Sequence, residues 1–432
     1  MTASRPVELA QRIRALDTTR GVAVLGILLM NIWSFAGPQA IYDYPVAAAD
    51  WGGAPLPTWA VMHTLFEGSQ RALFSMLFGA GMLLMVNRLD ERSGTPGSRR
   101  IYYRRLMFLL LFGLFDLFVL LWPADILFVY GLCGLVLYPL RRRSVRTLLV
   151  LACAVFAAQA TLRYLDLQDK QQLQAEYRAV QADPTAAVPG STPERLEQWA
   201  AVEQRAHPDL NDPKIQESIR VQSRGALGEF LLNKWQTSLI LLLVVGIKSL
   251  LLDSLGAMLV GMALLRSGVL TLNAPRRVYW LLLAAGYGLG LPLAAWETAG
   301  LIAHDFDPLL KARNLLHYDV RRMAVGVGHL SAILLACQAW PQSWLAARLA
   351  SVGRMALSNY LGQSLLCGIL FYSIGFGLYG RFTGYYLYLL ALAIWIIQIL
   401  LSHWWLARFR FGPCEWLWKS LTYSEAQPMR TG

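Results

Sequence analysis

RIRALDTTRGVAVLGILLMNIWSF, residues 12–35, is the stretch whose reading decides the fold. Four arginines precede or open it within the first twenty residues, and the chain then runs apolar from Val22 to Phe35. Arginines ahead of an apolar run hold that flank in the cytoplasm, so the stretch reads as a first transmembrane helix entered from inside. Asp17 and Arg20 stand one helical turn apart in the lead-in, and a single amide, Asn31, interrupts the apolar part. An amide in hydrocarbon needs a partner on another helix or a wet cavity. A secretory signal peptide is the competing reading. No A-x-A-like cleavage site follows cleanly, and further apolar spans come after it.

Composition agrees. Of 432 residues 56% are hydrophobic and 15% charged, against roughly 25% charged in soluble domains. A formal charge of +12 points to nucleic acid in a soluble protein. Here the arginines sit beside apolar spans, so orientation and contact with anionic lipid account for them and no nucleic-acid partner is expected. Four of the five cysteines fall inside apolar runs and none has CxxC spacing, so neither a disulfide framework nor a zinc site is indicated, and no metal is expected.

Charge alternation sets the expected topology. The loop 38–58 has two aspartates and no Lys or Arg, whereas 87–105 carries six arginines and 141–146 four. Spans follow at about 59–86, 106–121, 125–140 and 147–165, then at 278–296, 323–340, 355–376 and 385–405, with one net crossing inside 230–265 preceded by an interfacial or tilted helix. Residues 166–228 are polar, with prolines at 184, 189, 193, 208 and 213, and read as a partly helical extracytoplasmic insert. The expectation is an all-α integral membrane protein of about ten transmembrane helices with both termini cytoplasmic. Its parts are an N-terminal bundle (1–165), the insert (166–228) and a C-terminal transmembrane domain with a tail (229–432). The location implied is a bacterial inner membrane, and a homo-oligomer is compatible with the chain.

Ionisable residues inside spans are costly, so each is a functional candidate until a structural partner is found. His63, Glu67 and Arg71 are spaced to stack on one helix face. Glu67 either pairs with Arg71 or orients His63 as a base. Asp116 interrupts an apolar run; Asp125 opens the next span, where capping a helix N-terminus is the plainer reading. Asn31, His63, Glu67, Asp116 and Asp125 are all expected at one level, in the outer half of the first bundle. At the inner level Asp17, Arg20, Arg104 and Arg105 gather, where guanidinium groups grip phosphates or merely anchor topology. Asn359 and Gln363 share a face, as residues that glue helices together do. Lys248 and Asp253 interrupt the long apolar run of 230–265.

LDTTRGVAVLGILLMNI (16–32), LFSMLFGAGM (73–82) and ADILFVYGLCGL (124–135) resemble the YeiB-like family of bacterial membrane proteins. VGRMALSNYLGQSLL (352–366) and RFRFGPCEWLWKSLTY (408–423) resemble its uncharacterised C-terminal domain, domain of unknown function 418. The family's N-terminal half is similar to heparan-alpha-glucosaminide N-acetyltransferases, which carry an acyl group from cytosolic acyl-CoA to an acceptor across the membrane, using an asparagine late in the first helix and a histidine soon after. Asn31 matches the asparagine. The loop 38–58 has no histidine, and His63 comes later; many family members also have a histidine where this chain has Asp116.

The resemblance implies a transmembrane acyltransferase with acetyl-CoA as donor and a small-molecule, lipid or glycan acceptor. In it a histidine or carboxylate acts as base, Asn31 holds the acyl carbonyl, and the inner arginines bind the donor. A transporter or flippase using the same buried polar residues is the rival, and an assembly protein the third reading.

Overall fold

The computed structural model describes residues 9–183 and 191–430; the prolines at 184 and 189 and Arg5 lie outside them. The described residues are helical with no β-strand beyond one isolated bridge.

Helix α1, Leu9–Ala36, is the opening stretch. A short helix α2, Gln39–Asp43, and a 3-10 segment, Pro45–Trp51, lead to α3, Pro55–Phe66, and α4, Ser69–Phe118. Gly68 separates α3 from α4 with φ +71°, a left-handed conformation that favours glycine.

Helix α4 is not straight. The Ser98 hydroxyl bonds the Asp90 carboxylate, although eight residues of straight helix would separate them by about 12 Å. Ser75 on one limb and Leu110 on the other both abut Tyr130–Gly131 of α5, Leu127–Leu140. The helix therefore folds back on itself between Asp90 and Ser98. The connection expected at 87–105 is helical, and its two limbs are antiparallel neighbours.

Helix α6, Val145–Ala182, continues past residue 165 without a break. At 38 residues it is about 57 Å long, far more than a ~30 Å hydrocarbon layer, so its second half belongs to the insert. Helices α7, Pro193–Ala206, and α8, Pro213–Arg224, complete the insert. Arg195 ties α7 to Glu176 of α6 at 2.8 Å, over the buried Trp199.

The long apolar run is one passage. Helix α9, Leu227–Leu241, joins α10, Leu251–Arg266, through a π-helical segment, Leu242–Leu250. Trp235 at one end bonds the Phe118 carbonyl and Arg266 at the other the Arg141 carbonyl. No interfacial turn intervenes.

The rest are α11, Arg276–Ala303; α12, Pro308–Asn314; α13, Tyr318–Ala339; α14, Trp344–Arg354; α15, Ala356–Phe371; α16, Tyr385–Leu406; and α17, Pro413–Tyr423. Two motif glycines join the halves. A Cβ on Gly21 would overlap the Leu349 carbonyl, and one on Gly353 the Asp17 carbonyl, so α1 and α14 meet backbone to backbone. Asn359 bonds Ser402, and Gln363 bonds Gln398 and the Val24 carbonyl; these amides are helix–helix glue, as expected.

Seven helical stretches of the described residues are long and apolar enough to cross a membrane. The three other expected spans are α5, α15 and the second limb of α4. Helices α5 and α15 have 14 and 16 residues, about 21 and 24 Å, short of the layer. Irregular backbone at 122–126 and 372–384 extends them, much of it packed against protein. One face of the molecule carries the arginine-rich turns and the other the insert; they are called the basic face and the insert face below.

Candidate functional site: a cationic cavity and a buried charge network

A cavity of about 500 Å³ opens on the basic face. Both limbs of α4 wall it, with Phe74, Phe78 and Met82 on one and Leu106 and Leu109 on the other. Its rim holds Arg20, Arg88, Arg105, Arg354 and Lys419 against one carboxylate, Glu415, and its inner end holds Tyr130 and Tyr360. Glu415 is already committed: it accepts from the Leu357 and Ser358 amides at 2.7 and 3.0 Å and from the Ser358 hydroxyl at 2.5 Å. The rim thus has a large cationic excess over an apolar throat, which suits an amphiphile with an anionic head.

Of the expected inner residues, the structure brings Arg20 and Arg105 to this rim. Asp17 stands behind Arg20 at 3.2 Å and offsets part of its charge. Arg104 does not line the cavity; its Nε donates to the Thr422 carbonyl and pins α17. Arg105 lies 3.5 Å over the Trp418 ring, and the Trp418 indole donates to the Arg105 carbonyl at 2.9 Å. Sequence analysis did not single out Arg88, Arg354 or Lys419 as site residues. The signal missed was that the fold-back of α4 and the return of α17 bring distant basic flanks to one mouth.

Toward the insert face lies a second constellation. Arg71 bonds Asp253 at 2.8 Å, Arg322 bonds Asp253 at 2.6 Å and Asp319 at 2.7 Å, and Arg163 bonds Asp319 at 2.7 Å. Arg321 and His317 share Glu297 at 2.8 and 2.7 Å. With Glu67 the group sets four arginines against four carboxylates, the balance that lets charge persist in a low dielectric.

Both expected roles of Glu67 are corrected here. Its carboxylate accepts from the hydroxyls of Tyr42 and Tyr318, the latter at 3.3 Å, and makes neither an ion pair with Arg71 nor a hydrogen bond to His63. The physical reason is the break at Gly68, which takes α3 out of line with α4 and lets Arg71 reach α10. Lys248 falls in the π-helical segment, and its side chain lies outside the described ones.

His63 stacks on Trp59, ring centroids 4.5 Å apart, and its Nδ1 lies 2.9 Å from the Thr298 hydroxyl. Thr298 gives its single proton to the Ala294 carbonyl at 2.8 Å and accepts from Thr64 at 3.0 Å. The contact with His63 therefore requires Nδ1–H, which leaves Nε2 as a bare acceptor. It has no protein partner among the described residues. His329 differs: Tyr287 and the Leu65 carbonyl occupy both its nitrogens at 2.8 and 2.9 Å.

Asn31 is half-buried with no hydrogen bond among the described residues. Helical spacing puts it on the stripe of Arg20 and Ile27, about 16 Å of rise from Arg20. Gly26 packs against Gln70 and Arg20 against Gly81, so this stripe runs antiparallel to the start of α4. Asn31 thereby reaches the level of His63 and Glu67. Asp116 and Asp125 form a separate group beside α15: Asp125 accepts from the Phe128 amide at 2.8 Å, as a cap does, and from Tyr360 at 3.3 Å. No hydrogen bond among the described residues joins that pair to His63 or Glu67, so the five residues fall into two hydrogen-bonded groups.

The comparisons fit this architecture. Residues 264–425 match the family model described as "Protein of unknown function (DUF418)". The chain is 32% identical over 437 residues to the uncharacterized protein YeiB of Escherichia coli (strain K12), covering 97% of this chain and 98% of that one. It is 30% identical over 440 residues to the uncharacterized protein YxaH of Bacillus subtilis (strain 168), covering 99% and 98%. An uncharacterized 39.9 kDa protein in the amylase 3' region of Bacillus acidopullulyticus is 26% identical over 434 residues, 98% of this chain and 97% of that protein. No solved structure matches. Similarity at this level along essentially the whole length makes this chain a member of the YeiB-like family of membrane proteins.

Proposed function

We propose that the protein is a transmembrane acyltransferase of a bacterial inner membrane, loading acyl-CoA (acetyl-CoA) from the cytoplasm through the basic face. The observation that carries this is the cavity, a cationic rim leading into an apolar throat. Arg20, Arg88 and Arg105 bind the donor's phosphates, and the throat takes its uncharged arm. Gln70, whose amide oxygen is buried without a partner among the described residues, lies between the throat residue Phe74 and Glu67 along the chain. His63 Nε2 is the base for an acceptor hydroxyl or amine, and Asn31 orients the acyl carbonyl. The reading requires the acyl end to advance from the level of Phe74 past the Gly68 break toward His63. The acceptor is a small molecule, lipid or glycan on the insert side.

The transporter or flippase reading draws on a different observation, the buried four-against-four charge network between cavity and insert. Purified protein in nanodiscs, titrated with acetyl-CoA, separates the two. Binding together with slow release of free CoA that His63→Ala abolishes supports the transferase. Absence of both removes it and leaves the transporter.

A further inference from the structure

We infer that the buried polar groups around Asp116 form a proton path from the inner end of the cavity toward the insert face. The path starts at Tyr360, a cavity wall residue whose hydroxyl donates to Asp125 at 3.3 Å and accepts from the Ile126 amide at 3.2 Å. Asp125 leans on Gly113, one turn before Asp116 on the same face of α4, which sets the two carboxyl groups beside one another. Asp116 is fully buried, and neither of its oxygens receives an N–H or O–H in the resolved geometry; Ser364 is the other polar group facing it. Neighbouring carboxyl groups sealed from water pay heavily to carry two negative charges, so one proton held between them is the arrangement the path uses.

Beyond Asp116 the polar groups continue. The Tyr372 hydroxyl is buried without a partner, and Lys234 sits 3.7 Å over the Tyr372 ring. Lys234 is 5% exposed and forms no ion pair with a carboxylate among the described residues. The Trp235 indole donates to the Phe118 carbonyl at 2.9 Å, and the Ser238 hydroxyl to the Leu117 carbonyl at 3.2 Å, which holds this part of α9 against the Asp116 end of α4. A purely structural network would satisfy its members; among the described residues this one leaves the Tyr372 hydroxyl without a hydrogen-bond partner and Lys234 without an ion pair, beside the Asp116 end of α4. Each hop breaks one O–H or N–H bond and forms the next, so the net event is one proton moved and no electron transferred. The path stands whether the cavity holds an acyl donor or a solute.

The test uses the full chain in proteoliposomes loaded with pyranine, with an inward proton drive set by a potassium diffusion potential and valinomycin. Wild-type vesicles are expected to acidify faster than protein-free ones, and Asp116→Asn and Lys234→Gln to fall to the protein-free rate. Wild type at the protein-free rate, or Asp116→Asn at the wild-type rate, overturns the path. If Asp116→Asn does not reconstitute, dicyclohexylcarbodiimide on wild type decides instead, because it attacks protonated buried carboxyls. An adduct mapped to Asp116 or Asp125 with flux lost supports the path; the same adduct with flux intact, or no adduct, overturns it.

Discussion

Arg71 takes its carboxylate from Asp253, 2.8 Å away on α10, and leaves Glu67, four residues before it, to the hydroxyls of Tyr42 and Tyr318. Asp253 also holds Arg322, which has no exposed surface. Asp253→Asn strips the compensation from two arginines at once and is expected to destabilise by about 3–5 kcal/mol, as removal of one member of a buried pair does. Glu67→Gln keeps an acceptor for one tyrosine and costs about 1.5–3 kcal/mol. Melting in detergent should therefore rank Asp253→Asn below Glu67→Gln; the reverse order contradicts the assignment.

Arg104 and Arg105 are neighbours with different work. Arg105→Gln is expected to weaken acetyl-CoA binding about 10–100-fold, the loss of one charge-assisted contact of roughly 1.5–3 kcal/mol. Arg104→Gln should leave binding within a few-fold while loosening α17, seen as faster hydrogen exchange over residues 413–423. Equal effects of both variants on binding would return them to a common anchoring role.

Glycine tolerance differs by position. Alanine at Gly353 or Gly21 meets backbone of the other helix, and overpacking of this kind costs ~1–3 kcal/mol or more. Gly288 on α11 has nothing within 4 Å, so Gly288→Ala should be neutral or stabilising by up to about 1 kcal/mol. Thermal stability of the three variants checks the α1–α14 contact directly.

The two faces are assigned to cytoplasm and exterior by arginine placement. Single cysteines at Arg100 and Gln198, both exposed, in a cysteine-free background should label from opposite sides with an impermeant thiol reagent. Labelling from one side would invert or fold the expected topology.

At the insert's base Arg220 bridges Glu217, at 2.6 Å, and Glu229, joining α8 to α9. The Arg220 hydrogen bond holds the Glu217 carboxyl below the ordinary glutamate value. A depressed carboxyl stabilises the fold above its unfolded value and loses that contribution as pH falls through its folded value. Protection from exchange across residues 217–229, relative to the intrinsic rate at each pH, should therefore fall below about pH 4, the usual glutamate range. In Glu217→Gln much of that pH dependence should vanish.

Much of the fold was legible because apolar length and arginine position are properties of the chain itself. Residues 12–35 and the polar break at 166 declare themselves without tertiary information. The π-helical join between α9 and α10 was harder to read, since periodicity does not separate one long tilted passage from a helix pair. The site was legible only in part. Helical spacing put His63, Glu67 and Arg71 on one face, but Gly68 breaks that face, and the partners chosen lie on α2, α10, α11 and α13. Asp17, Arg20 and Arg105 were found because they crowd the ends of apolar runs. Arg354 and Lys419 join them through packing that no local pattern encodes.

The cavity's walls come from both ends of the chain: Arg20 on the first helix, and Trp418, Lys419 and Tyr423 on the last. During synthesis the early helices leave the ribosome and enter the membrane long before α17 exists, so the mouth stays unfinished until α17 has been made. A nascent chain cannot capture a charged ligand midway through insertion, and nonsense variants that lose only the final stretch would yield an embedded, well-packed bundle with its entrance unbuilt.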